Sequence, residues 1–417
     1  MSNRLRILVV AYECSPVSAH TAGSAWQIVY RLSKTYDLWV ITEATQYQEE
    51  IEQYLYNNSS VSERLHFIFI DREKLKKIYT SRPVLPVHQV LSYKRWLKKA
   101  FITAKQLHKE INFDIVHHLR GNSFREPGYC WQLPVPFVWG PTGGSIGISW
   151  RLLSMLDMRE SCLHVIRNIM NVLQFYISHR VCSAARKASC VFVQTSLDQT
   201  RFQKACGVKA FIAHEQAADE LSYRLHQYRN NRPLKVAWAA RFIPLKGLPI
   251  LLNAASRPEL IGRLSIHIAG DGPCRAEWEK ITKDLDIWNM CVWHGWLPVR
   301  ETIRMIDECD IFVCTNLLAA ESTSVMQALS LGLPIICLRH GRESDIIDKT
   351  CGIPIKVGNL KSVINSYSSS LISLIQKPDL IEILSKGASK KAQIYNWTHL
   401  AEKISQAYQF TQQSNKY

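Results

Sequence analysis

Two cations stand close together in WAARFIPLKGL. Arg241 and Lys246 follow the apolar run 236–239 and precede Gly247 and a helical segment. Such a loop can hold a diphosphate through side-chain charge and the free N–H groups of a helix start, although a cation pair is also an ordinary solvated surface feature. A second candidate is 311–347, IFVCTNLLAAESTSVMQALSLGLPIICLRHGRESDII. Residues 311–314 and 334–337 are short apolar runs of the kind buried parallel strands need. Between them Ser322, Thr323 and Ser324 precede the helical run 325–331, and Gly332 ends it. Hydroxyls and free N–H groups at a strand's carboxyl end favour an anion. Such helix starts occur in every α/β protein, but the crevice beyond the strand ends is where open α/β sheets usually bind ligands. The run AGDGP, with Gly270, Asp271, Gly272 and Pro273, follows another strand as a tight turn, which could also do no more than join strand to helix.

These residues need elements to position them. Apolar runs at 7–12, 38–42, 65–70, 115–117, 137–139 and 191–194 alternate with helical segments over the first half. A long helical stretch over 150–188 interrupts the alternation, and a short strand at 211–213 ends it. A second alternation begins at 236–239 and continues through 265–269, 291–293 and the 311–347 unit. The tail, 371–410, reads as helices with no strand between them. Two α/β domains are expected, with a boundary near residue 215 and no internal repeat.

At 417 residues, 47% hydrophobic and 21% charged, the chain has ample material for two domains. No run is long and apolar enough to span a bilayer, and a strand follows the N-terminal residues without a signal-peptide pattern. A cytosolic protein is expected. The twelve cysteines are scattered and read as reduced, buried small hydrophobes. The net charge of +16 asks for an acidic partner. Much of it falls on Arg72, Lys74, Lys76, Lys77, Arg82, Lys94, Arg95, Lys98, Lys99, Lys105 and Lys109. Within this stretch Trp96, Leu97, Ala100, Phe101, Ala104 and Leu107 recur at helical spacing. This basic amphipathic helix either packs its stripe on the core or docks on an anionic membrane face. No nucleic-acid-binding module is visible, and neither G-x-G-x-x-G nor a P-loop follows the first strand of either half.

The motifs AARFIPLKG, IAGDGP, WHGWLP and ALSLGLPIICLRHG, in this order, with FDIVHH and WGPTGGS in the first half, resemble glycosyltransferase family 4. The resemblance covers nearly the whole chain. It implies a GT-B fold, with two Rossmann-like domains facing a central cleft. The acceptor domain would be 1–215 with a returning helix at 396–417, and the nucleotide-sugar donor domain 216–395. It implies a retaining, hexosyltransferase-like enzyme that takes a sugar from an NDP-sugar as substrate and needs no metal or other cofactor. The acceptor would be a glycan or a lipid-linked molecule, in cell-surface polysaccharide or glycoconjugate synthesis. Apart from the resemblance, the missing span and signal pattern and the basic helix lead to an expected cytoplasmic location, with the inner face of the cytoplasmic membrane as a candidate peripheral site and no nucleic-acid partner.

Carried over residue by residue, Arg241 and Lys246 match the cations that stabilise the leaving diphosphate. Gly23 matches the first-loop glycine beside the donor phosphates, and Gly270, Gly272, Ser322, Thr323 and Ser324 fall on the donor side. His117 and His118 lie where the family has a histidine near the reacting sugar; the H-x-H spacing is absent, so either one fits, and a core histidine is the alternative. The family's Glu-x7-Glu is also missing. Its positions hold Ala319 and Gln327, with Gln327 keeping hydrogen-bonding capacity for a ribose and Glu321 the candidate for the sugar. This departure keeps open a second reading, a catalytically weak GT-B protein acting as a binding partner. Trp26, Trp139, Trp238 and Trp293 read as core rather than sugar-stacking residues.

Overall fold

The apolar runs ILVV at 7–10 and IFVC at 311–314 lie inside two separate parallel sheets in the computed structural model, which describes residues 4–18, 21–72, 87–119, 123–218, 225, 226, 228, 231–318 and 323–414. One unit holds residues 1–145, 170–215 and 397–417, the other 146–169 and 216–396.

In the first unit the strands are β1 (Arg6–Val10), β2 (Asp37–Glu43), β3 (Leu65–Ile70), β4 (Ile115–His118), β5 (Phe137–Thr142), β6 (Cys190–Val193) and β7 (Phe211–Ile212). Their order is β3-β2-β1-β4-β5-β6-β7, all parallel. The chain winds outward in one direction from β1 and in the other from β4, so the switch point lies between those two strands. The apolar stripe of the basic helix Val87–Ile111 is spent here: Trp96, Leu97, Ala100 and Ala104 are buried in this unit's core, while Lys98, Lys99, Lys105 and Lys109 face water. Of the wider basic run, Lys74, Lys76, Lys77 and Arg82 lie outside the described residues. The helix Trp397–Ser414 completes the unit, with the Tyr36 and Ser405 hydroxyls 2.6 Å apart.

The second unit repeats the winding. Its strands are β8 (Leu234–Ala239), β9 (Leu264–Ala269), β10 (Cys291–Gly295), β11 (Ile311–Cys314), β12 (Ile335–Leu338) and β13 (Gly352–Ile355), in the order β10-β9-β8-β11-β12-β13. Here the switch point separates β8 from β11, which are paired at Ile311 with Val236 and at Phe312 with Ala237. Trp238, Phe242, Trp278 and Leu251 are buried on one face of the sheet, and Phe312, Met326, Leu329 and Ile335 on the other.

Four features depart from the sequence-based expectation. Residues 146–169 group with the second unit and not with 1–215, because Ile148 bridges Leu318 and Leu152, Leu153 and Leu156 enter the second unit's core. The stretch 150–188 is three pieces, a 3-10 turn Trp150–Met155 and helices Met158–Ile177 and His179–Lys187. Strand β13 was unexpected, since GIPI carries a glycine and a proline; it is an edge strand, where a missing N–H does no harm. Finally, Cys182 and Cys206 form a disulfide instead of two free thiols.

Candidate functional site

The carboxyl ends of β8 and β11 are bound to each other by their own loops. After β8 the chain passes Ala240, exposed Arg241 and buried Phe242 into the 3-10 turn Pro244–Lys246. Gly247 then takes the left-handed conformation (φ 60°) ahead of helix Leu248–Ala255. A Cβ on Gly247 would lie 2.5 Å from the Thr315 carbonyl oxygen, so only glycine lets the two loops come this close. The Thr315 hydroxyl donates to the Lys246 carbonyl (2.6 Å) and accepts from the buried Trp238 indole N–H (2.9 Å). The Leu317 N–H donates to the Leu245 carbonyl at 2.9 Å. The backbone of Lys246 is therefore tied to the loop after β11 across the switch point.

The Gly270–Gly272 turn supports the same loop. The Phe242 N–H donates to the Asp271 carbonyl (2.9 Å), and the Phe242 carbonyl accepts from the Cys274 N–H (3.1 Å). Gly270 (φ 135°) and Gly272 (φ 153°) have conformations that L side chains rarely adopt, and Cβ atoms there would meet the Ala240 and Phe242 carbonyls at 1.9 and 2.6 Å. Both glycines thus have a structural duty in seating the Arg241 loop.

Burial lowers the pKa of half-buried Lys246 below the ordinary lysine value; the Cys314 and Glu343 side chains oppose that shift, and Arg241 adds to it. Glu343 opens the short helix Glu343–Ile346 after β12 and is 5% exposed. Burial raises its carboxyl above the usual range, against the pull of its own backbone N–H, Arg342 and Lys246. Its Oε1 and the Asn316 Nδ2 are buried without hydrogen-bond partners, as is Nη1 of Arg342, whose Nη2 donates to the Gln216 carbonyl. Glu343 and Asn316 were not among the residues singled out from sequence. Only the position of Glu343 just beyond a buried strand, in RHGRE, could have marked it.

The helix runs Thr323–Ser330, so Thr323 and Ser324 lie in its first turn and do not precede it as expected. Ser324 Oγ donates to the Ala239 carbonyl (2.8 Å), so this hydroxyl ties the helix to the end of β8. Gln327 is buried on the same helix. Ala319, Glu321 and Ser322 lie outside the described residues.

In the first unit Gly23 is not in a loop. It sits in the first turn of helix Thr21–Leu32, where a Cβ would fall 1.8 Å from the Ser18 carbonyl oxygen, so close packing of Ser18 requires the glycine. His117 and His118 end β4 and differ sharply. His117 Nε2 lies 2.6 Å from the Gly140 carbonyl and Nδ1 lies 2.5 Å from the Tyr408 hydroxyl. A carbonyl can only accept, so Nε2 carries the proton and the tyrosine donates to Nδ1. His117 is a satisfied core histidine, with burial lowering its pKa to about 4. His118 is equally buried, but both of its ring nitrogens lack partners; burial first, then His117, lower its pKa to about 3. Trp26, Trp139 and Trp238 are core residues, and Trp293 is half-buried.

Parts of this chain are similar in sequence to known proteins, and its fold is similar to solved structures. The amylovoran biosynthesis glycosyltransferase AmsK of Erwinia amylovora is 27% identical over 125 residues, 28% of this chain and 31% of the relative. The sulfoquinovosyl transferase SQD2 of Arabidopsis thaliana is 25% identical over 191 residues, 45% of this chain and 35% of the relative. The chain thus spans about a third of the length of each. In shape it is similar to Anabaena HepE, solved in complex with UDP, with a TM-score of 0.62 at 14% identity over 96% of this chain and 99% of the other. Two parallel α/β sheets with this winding give the chain the GT-B fold, and residues 224–391 match the family described as glycosyl transferases group 1.

Proposed function

We propose that this chain is a retaining glycosyltransferase that moves a sugar from a nucleoside diphosphate donor to a glycan or lipid-linked acceptor in cell-surface polysaccharide or glycoconjugate synthesis. The observation that carries the reading is the placement of Lys246. It is held beside Arg241 at the switch point of the second unit, inside the segment that matches the family. The UDP in HepE and the biosynthetic name of AmsK support a nucleotide donor and a polysaccharide product.

In this reading the second unit binds the donor and the first the acceptor. Arg241 and Lys246 neutralise the diphosphate as the bond from the sugar's anomeric carbon to the phosphate oxygen breaks. The acceptor hydroxyl oxygen bonds to the same face of that carbon, and its proton passes to the departing phosphate oxygen. Glu343 favours the charged form of half-buried Lys246, and the two cations serve where a metal would otherwise be needed. Incubation with a panel of NDP-sugars should release free NDP with at least one of them; no turnover and no binding with any donor would refute the proposal. Proton NMR of the first product should show the donor's anomeric configuration retained.

One observation favours a second reading, a GT-B protein that binds without turnover. Ala319 and Gln327 stand where the family pattern has two carboxylates. If Arg241→Ala retains the cellular function of the wild type, the binding reading gains.

A further inference from the structure

The helix Met158–Ile177 turns its apolar side toward water. Met158 (84% exposed), Ile166 (56%), Ile169 (48%), Leu173 (43%), Tyr176 (64%) and Ile177 (74%) fall within about a 100° sector when the helix is wound at 3.6 residues per turn. On the opposite side Asn168, Asn171 and Phe175 are buried, with Asn168 Nδ2 donating to the Ile148 carbonyl (2.8 Å) and Phe175 stacked on Phe124. The stripe is therefore not the helix's core face. Over 20 residues it runs about 30 Å at 1.5 Å per residue, longer than the isolated apolar side chains that soluble surfaces ordinarily carry.

We infer that this stripe is the surface by which the protein lies on an anionic lipid bilayer. Charge selects that occupant. Arg151, Arg159 and Arg167 on and just before the helix are exposed, and beyond Asp157 and Glu160 at its start no Asp or Glu occurs between Ser161 and Leu197. A second copy docked on the same face would bring these basic groups against their own kind. Exposed Trp150 and Tyr176 are residue types that settle at the headgroup level of a membrane. No described helix is long and apolar enough to cross a membrane, and this one, apolar on one side only, suits the interface plane. The inference relocates membrane docking from the basic helix Val87–Ile111, whose stripe is buried. It does not rest on the transferase reading, because vesicle binding is measured without donor or acceptor.

The test is co-sedimentation of the full chain with phosphatidylglycerol-containing and pure phosphatidylcholine vesicles. Wild type should bind the anionic vesicles and release in high salt, and Ile166→Asp/Leu173→Asp should bind roughly tenfold more weakly with an unchanged circular-dichroism melt. A control pair on the basic helix, Leu91→Asp/Ile102→Asp, should bind as wild type. Failure of wild type to bind anionic vesicles would overturn the inference, and so would equal binding by the 166/173 variant. A wild-type dimer that this variant converts to monomer, without vesicle binding, would assign the stripe to self-association instead.

Discussion

The Thr315 hydroxyl donates to the Lys246 carbonyl across 2.6 Å and thereby fastens the loop after β11 to the loop after β8. The same oxygen accepts from the Trp238 indole, so Thr315→Val removes two buried hydrogen bonds. A stability loss of about 2–4 kcal/mol is expected by urea unfolding. NDP release should fall roughly tenfold in kcat with little change in KM, because Lys246 loses its placement and not its charge. An unchanged kcat would show that this tie is merely structural.

Lys246→Met should lower kcat by roughly a hundredfold or more while the thermal melt stays near that of wild type, since an oriented cation at a developing anion is a large part of such catalysis. Lys246→Arg should rescue poorly, because Lys246 is half-buried and a planar guanidinium is larger and differently shaped than an ammonium.

Glu343→Gln tests the electrostatics. Lys246 must be protonated to neutralise diphosphate, and burial already lowers its pKa, so activity should fall as pH rises through that lowered value. Glu343 opposes the shift. Removing its charge lowers the Lys246 pKa further and should move the alkaline limb of the kcat profile to lower pH. A limb that stays in place would mean that the two groups are uncoupled.

His117 and His118 should make the first unit acid-sensitive. An unfolded histidine takes up its proton near pH 6.5, whereas these two stay neutral down to about 4 and about 3. Protons therefore favour the unfolded chain. Stability is complete above about pH 6.5 and is lost as pH falls through the window below it, by about 2 kcal/mol per histidine at pH 5. His118→Leu, which sacrifices no hydrogen bond, should abolish about half of the difference in urea midpoint between pH 7.5 and pH 5. His117→Leu should instead destabilise at both pH values, by leaving Gly140 and Tyr408 without a partner.

Chelation gives a further check. Saturating EDTA should leave NDP release unchanged if, as proposed, Arg241 and Lys246 meet the diphosphate directly; a loss restored by magnesium or manganese would contradict the mechanism.

Much of this was legible along the chain. Buried parallel strands need continuous apolar runs, so 7–10, 236–239 and 311–314 could be read locally, and their alternation with helical segments specified two α/β halves. Arg241, Lys246 and Gly247 were readable because a loop between strand and helix keeps its residues together. Pairings between distant segments were not. Local pattern gives equal weight to His117 and His118, but Tyr408, far along the chain, satisfies one and leaves the other bare. The sequence places Gly23 in the first loop, but it lies in a helix whose packing against the Ser18 carbonyl leaves no room for a Cβ, a contact that local pattern does not show. Glu343 gained its relation to Lys246 when β12 was laid beside β11. Residues 146–169 joined the second unit because Ile148 and three leucines found their apolar partners there. Periodicity reports which face of an element is apolar, whereas the surface that covers that face is set by long-range packing, and for Met158–Ile177 the packing leaves it open to water.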